Sequence, residues 1–311
     1  MYGALGETVT EKSGNLNLGV PGIMYLGGFA GFASAWAYEN TAANPSGAVS
    51  VVVALTCAIL ASMAGGLIYA FLTISLRANQ NVTGLALTTF GMGVANFFGV
   101  FILNGASYSA APIANKAFSA KIPVLSTLGG FGQVVFSYGF LVYAAIALAI
   151  ALHWFLTRTR AGLNLRAVGE NPATADAAGI NVTLYKYLAT CIGAGICGIG
   201  GLYYVLDYNQ GIWATTGQIE ALGWLAVALV IFTTWKPLNA IWGAYLFGML
   251  YWLYQFLPTL LGITRASHIT DLVQMLPYVV TIVVLIVVSM RKKKENQPPA
   301  HLGLAYFREE R

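Results

Sequence analysis

Residues 48–76 read Ala48-Val-Ser-Val-Val-Val-Ala-Leu-Thr-Cys-Ala-Ile-Leu-Ala-Ser-Met-Ala-Gly-Gly-Leu-Ile-Tyr-Ala-Phe-Leu-Thr-Ile-Ser-Leu76, with no Asp, Glu, Lys or Arg. About 20 apolar residues let a helix cross the hydrocarbon of a bilayer. Inside that layer every backbone N–H and C=O must bond within the protein, which a helix achieves by itself. Comparable runs recur along the chain, at about 17–38, 48–76, 82–104, 134–156, 187–206, 219–235, 238–262 and 275–290. The first is Gly-rich and interrupted by Pro21. The fold class that follows is all-α: a polytopic integral membrane protein of about eight transmembrane helices.

Composition agrees. Hydrophobic residues make up 58% of the chain and charged residues 9%, with a mean hydropathy of +0.69. A soluble domain carries about a quarter charged residues, so this chain lacks the charge to cover a surface facing water. Its 35 glycines suit membrane helices, where small residues allow close approach. The net charge of +5 sits in short loops and at the C-terminus, which argues against nucleic acid as a partner. Cys57, Cys191 and Cys197 lie inside apolar runs without metal-ligand spacing and read as packing residues. The N-terminus shows no basic stretch before an apolar core, so no cleavable signal is expected.

Lys and Arg orient the spans. With the Arg291-Lys-Lys-Lys294 tail in the cytoplasm, eight crossings put the N-terminus there too. Lys12, Arg77, Arg158, Arg160, Arg166, Lys186, Lys236, the 291–294 cluster, Arg308 and Arg311 then lie inside, and Lys116, Lys121 and Arg265 outside. Thirteen against three is the asymmetry expected of cytoplasmic loops. Two polar segments are too long for turns: 105–133 outside and 157–186 inside. The inner one has good helix formers around a break at Asn171-Pro172, and reads as a short helix or helix pair at the membrane surface. Ser13-Gly-Asn-Leu-Asn17 before the first span is echoed by Thr216-Gly-Gln-Ile-Glu220 before the sixth. Those spans would run in opposite directions, the pattern of an inverted repeat.

No motif points to an enzyme. A G-x-x-x-x-G-K-[ST] loop is missing, so the chain does not bind ATP in the P-loop manner. Gly193-Ala-Gly195-Ile-Cys-Gly198 fits a dinucleotide pattern, but within an apolar run it reads as tight helix packing. His153, His268 and His301 are isolated from one another and from carboxylate or cysteine partners. The inside loop suits either docking onto a soluble protein or a solvated connection.

Arg166-Ala-Val-Gly-Glu-Asn-Pro172, followed by Ala175-Asp-Ala-Ala-Gly-Ile-Asn-Val182, resembles the cytoplasmic coupling loop of ABC importer permeases. The group is the one serving branched-chain amino acids, ribose-type sugars and nucleosides. Gly6–Gly19, Asn79–Leu87, Gly223–Phe232 before Trp235-Lys-Pro237, and the tail from Leu276 to Glu309 agree with it, the tail with the nucleoside (simple sugar) branch. The resemblance thus runs along nearly the whole chain, in order. It implies a permease domain over 1–290 with a cytoplasmic coupling loop at 157–186, and a cytoplasmic tail at 291–311. It places Arg166, Gly169, Glu170, Asn171, Pro172, Asp176 and Gly179 against an ABC ATPase subunit, which binds ATP and Mg, so that this chain has no cofactor of its own. A second, usually different permease subunit and an extracytoplasmic solute-binding lipoprotein complete the machine, in the bacterial cytoplasmic (inner) membrane among its lipids. Longer members carry a further helix ahead of the stretch that matches Gly6–Gly19. Members often carry Glu where this chain has Pro21, and Asn is expected where it has Thr88, so the roles of those side chains do not carry over.

Uncharged polar groups at membrane depth face protein or water, which makes Asn15, Asn17, Thr88 and Asn96 candidates for a substrate pathway. Asn104, Gln133 and Glu220 are expected at its outer edge, with Trp224 beside them. Interhelical hydrogen bonds and wet helix ends are the alternatives at each. The expected cargo is a nucleoside, since rings stack on a chain rich in Phe, Tyr and Trp; a simple sugar or branched-chain amino acid is the runner-up. The rival class is a self-sufficient secondary carrier, which places ionisable residues within its spans; the apolar runs here hold none at their centres.

Overall fold

The computed structural model describes residues 1–103, 111–121, 137–213, 217–260 and 297–308, with a few positions between 275 and 286. Among them are eleven α-helices and no strand: α1 (Tyr2–Glu11), α2 (Val20–Thr41), α3 (Gly47–Ala70), α4 (Gln80–Leu103), α5 (Pro112–Phe118), α6 (Phe140–Arg158), α7 (Arg160–Glu170), α8 (Pro172–Ala177), α9 (Val182–Tyr203), α10 (Gln218–Phe232) and α11 (Pro237–Leu260). The all-α membrane reading holds. Helices α2, α3, α4, α6, α9, α10 and α11 lie beneath the first seven expected spans. Most of the eighth, with Asn104, Gln133, Arg265 and the 291–294 cluster, lies outside the described residues.

Span length rises to 29 residues in α3 and 27 in α9, because each continues into a π-helical turn, Phe71–Ser75 and Tyr204–Tyr208. Pro21 does not interrupt α2. It sits in the first turn, where its missing N–H would have had no helical partner.

Helix α1 was not legible as a span, and it is the centre of the bundle. It has ten residues, about 15 Å at 1.5 Å per residue, and every one of them is buried. It packs against α9 and α10, and α2 packs against α3, α4, α9 and α10. Close approach depends on glycine. A Cβ on Gly6 would overlap the Gly193 carbonyl oxygen and lie 2.6 Å from Cys197 Sγ, while the Cys197 thiol donates to Gly3 O at 3.4 Å. The Gly193–Gly198 motif is therefore a packing surface. By contrast α6 is exposed along most of its length, with 22% of its most apolar window buried against 72% in α9.

Candidate functional site

The chain between α1 and α2 turns tightly. Ser13 N donates to Thr10 O at 3.0 Å and Gly14 N to Glu11 O at 2.9 Å. Gly14 takes φ +84°, a left-handed conformation that costs glycine little. Four helices hold the turn. Asn15 Nδ2 donates to Thr73 Oγ1 at 3.3 Å and Thr190 Oγ1 at 3.4 Å, and Leu16 N donates to Gln80 Oε1 at 2.7 Å. Tyr69 donates to Leu16 O. Thr88 Oγ1 donates to Leu18 O at 3.0 Å. Thr73 lies in the π-helical turn that follows α3, a local distortion often found at functional sites.

A carboxylate of α1 supports the turn, and a second lies one helical turn away. Glu7 Oε1 accepts from Asn17 N at 3.2 Å, and Glu7 Oε2 from Asn17 Nδ2 at 3.3 Å. Glu11 Oε2 accepts from Trp235 Nε1. Both acids are buried and four apart, on one face of α1. Burial of such a group is tolerated only where hydrogen bonds replace its water, and these partners do so. Lys12, at the end of α1, has an ammonium held below its ordinary value, chiefly by burial and then by the Arg166 charge.

The inner segment is a helix pair. Thr159 caps α7 by accepting from Gly162 N at 3.0 Å. Asn171 ends α7 and begins α8: its backbone is extended (φ −152°, ψ 93°), and its Oδ1 accepts from Thr174 N at 3.0 Å. Proline at 172 disfavours helical backbone in the residue before it and fits the first turn of α8. Gly179 takes φ +83°, and Asn181 Oδ1 caps α9 through Leu184 N at 3.0 Å. Arg166 and Glu170 are exposed; Gly169 and Pro172 are buried.

Gly169 faces its own chain. A Cβ there would overlap Lys12 O and lie 3.1 Å from Gly14 N. The C-terminal segment closes over the same place. His301 N donates to Gly169 O at 3.0 Å, Gly303 N to Gly14 O at 3.2 Å, and Ala300 N to Glu170 Oε2 at 3.4 Å. Asp176 Oδ2 accepts from Tyr306 Oη at 3.0 Å and pairs with Arg308 Nε at 3.1 Å. His301 is held below its ordinary value, first by burial and then by the Lys186 ammonium.

Asn15, Asn17 and Thr88 therefore meet at one turn, with the α7–α8 pair packed against it through Gly169. Asn96 lies two turns further along α4, half-buried, with Oδ1 lacking a hydrogen-bond partner. Glu220 and Trp224 lie on α10, both half-buried, and the structure does not join them to the turn. The sequence reading missed Glu7, Glu11 and Trp213. The four-residue spacing of the two acids was the available signal. Trp213 packs at ring-centroid distances of 5.7 to 6.3 Å against Phe29, Phe32 and Tyr25, and nothing local to it announced that cluster. Among the described residues no group of His, Cys, Asp or Glu could hold a metal ion.

The family model described as "Branched-chain amino acid transport system / permease component" matches residues 2–287. The chain belongs to this permease family. It is 36% identical over 255 residues (80% of this chain, 71% of the relative) to a putative glucose ABC transporter permease, TsgC13, of Haloferax volcanii. It is 30% identical over 287 residues (92% and 87%) to the nucleoside ABC transporter permease NupC of Lactococcus lactis. Against the guanosine ABC transporter permease NupQ of Bacillus subtilis it is 33% identical over 253 residues (79% and 75%). No solved structure matches. The permease is a multi-pass membrane transport subunit and not an enzyme. Family membership, and not the scarcity of buried charge, separates it from the self-sufficient carriers, since Glu7 and Glu11 are buried within the bundle.

Proposed function

We propose that this permease imports nucleosides across the bacterial cytoplasmic membrane, driven by a separate ABC ATPase that binds ATP and Mg. A second permease subunit and an extracytoplasmic solute-binding lipoprotein complete the assembly, and the C-terminus lies in the cytoplasm. The observation that carries the coupling half of this reading is the α7–Asn171–α8 break, with Gly169 seated on the Lys12–Gly14 turn. A push on α7 and α8 from an ATPase has a short mechanical route to the α1–α2 turn, and through Asn15, Asn17 and Thr88 to four helices. The exposed Arg166 and Glu170 offer the ATPase its polar contacts. Cargo rests on the relatives: nucleoside and guanosine permeases among them favour nucleosides, and the aromatic cluster around Trp213 suits base stacking. The putative glucose permease makes a simple sugar the second reading.

Co-reconstitution of the chain with its ATPase, second permease and binding protein tests both halves. ATP-dependent uptake should appear with guanosine, adenosine or uridine and compete poorly with glucose. Preferential glucose uptake would transfer the cargo to sugars, and robust ion-gradient-driven uptake by this chain alone would overturn the mechanism.

A further inference from the structure

Beneath the α1–α2 turn lies a polar cavity of about 470 Å³, between the end of α3, the start of α9 and the C-terminal segment. Among the described residues its lining carries three basic side chains, Arg77, Lys186 and Arg308, against the single carboxylate of Asp176. Arg308 is paired with that carboxylate. Lys186 is 3% exposed and has no ion-pair partner among the described residues. Arg77 stacks on the Phe307 ring, 4.5 Å from its centroid, and likewise lacks one. A buried ammonium without a counter-charge is expensive.

The start of α9 adds to the field. Asn181 caps Leu184 N, which leaves the amides of Val182 and Thr183, both lining the cavity, without a carbonyl one turn earlier. Lys186 stands one turn further on, on the face of Val182. A helix N-terminus of this kind attracts anions through its free N–H groups and its dipole. Asn15, 1% exposed, also lines the cavity; its amide nitrogen is committed to Thr73 and Thr190, while its Oδ1 has no partner.

We infer that this cavity is an anion site for a phosphate group carried on a small organic body, gripped by Lys186, Arg77 and the N-terminus of α9. The volume falls in the range of small-molecule pockets, about 300–1,000 Å³, and exceeds what bare phosphate needs. Asn15 Oδ1 would accept a hydroxyl of the ligand, and the Tyr306 segment forms the opposite wall. The phosphate has two possible sources, a soluble phosphomonoester or an anionic lipid headgroup of the inner leaflet. Because the site touches both the Asn15 turn and Asp176 of α8, an occupant would brace the turn against the coupling helices.

The test uses the full chain in nanodiscs. In phosphatidylcholine discs, ribose 5-phosphate is titrated with ribose as the neutral control, and the melting midpoint is followed. Separately, discs with and without phosphatidylglycerol are compared without added sugar phosphate. A rise in midpoint with ribose 5-phosphate and none with ribose identifies a soluble ligand; a rise with phosphatidylglycerol identifies a headgroup. In either arm Lys186→Gln should weaken the effect about tenfold or more, the loss expected for one charge-assisted contact. Arg77→Gln, at an exposed position, should do the same without endangering the fold. A wild-type chain that responds in neither arm overturns the site, as does a response of equal size in both variants.

Discussion

Gly169 of helix α7 rests directly on the main chain of Lys12, so closely that a Cβ there would overlap the Lys12 carbonyl oxygen. The neighbour is backbone, fixed by Ser13 N to Thr10 O and Gly14 N to Glu11 O, and cannot swing aside as a side chain would. Gly169→Ala should therefore displace α7 from the turn and cost about 1–3 kcal/mol, the usual range for overpacking. The check is the melting midpoint of the purified chain, before any ATPase is added. An unchanged midpoint would show that the turn yields freely and is unfit to transmit a push.

Glu170 separates docking from internal packing. Its carboxylate is exposed and, among the described residues, accepts a long bond from Ala300 N. An exposed charge of this kind contributes under about 1 kcal/mol to the chain alone. Desolvated against an ATPase, loss of the charge would cost about 2–5 kcal/mol of association. Glu170→Arg should leave the midpoint of the isolated chain nearly unchanged while weakening ATPase co-purification. Ala120→Trp, exposed on the opposite polar segment, should spare that association. Ser119 is a poor control because its hydroxyl donates to Asp207 Oδ1 at 3.1 Å.

The contrast between α8 and α1 explains what local sequence reveals. The α7–α8 break is written in adjacent residues: Pro172 constrains Asn171, and the Asn171 side chain caps the next helix, so the sequence sufficed. Helix α1 has half the length of a span and carries Glu7 and Glu11, with Lys12 directly after it, so a search for apolar runs passes over it. Its burial depends on Asn17, Trp235 and Gly193, up to 224 residues away. The docking of residues 297–308 onto Gly14, Gly169 and Asp176 is likewise non-local. Apolar periodicity reports which segments meet lipid, and it is silent about polar partners chosen by tertiary structure.

Sidedness follows from the same arrangement. Ala177 is exposed at the end of α8 and Ala120 is exposed after α5, whereas Ala175 is buried and would label poorly on either side. In a background with Cys57, Cys191 and Cys197 replaced, Ala177→Cys should react with a membrane-impermeant maleimide only after the inner face is opened. Ala120→Cys should react in intact cells. The reverse pattern would invert the proposed orientation and remove α7 and α8 from the side proposed for the ATPase.

The clasp formed by the C-terminal segment should respond to acid through His301. Burial first, and the Lys186 charge second, hold its imidazole below its ordinary value of about 6.5. The docked segment therefore favours neutral His301, while a released segment titrates near 6.5. Between these values the released state binds more protons, so the docked state gains stability as pH rises and loses it as pH falls below about 6.5. Glu170 and Asp176 face the same segment through their bonds to Ala300 N, Tyr306 and Arg308, and His301→Gln separates the imidazole's part from theirs. Hydrogen exchange at the His301 and Gly303 amides, bonded to Gly169 O and Gly14 O, should show protection falling as pH drops below the ordinary imidazole value of about 6.5, after correction for intrinsic rates. His301→Gln should flatten that dependence while keeping protection at neutral pH. A variant with the same acid-induced loss would assign the response to another group, and with it remove His301 from control of the clasp.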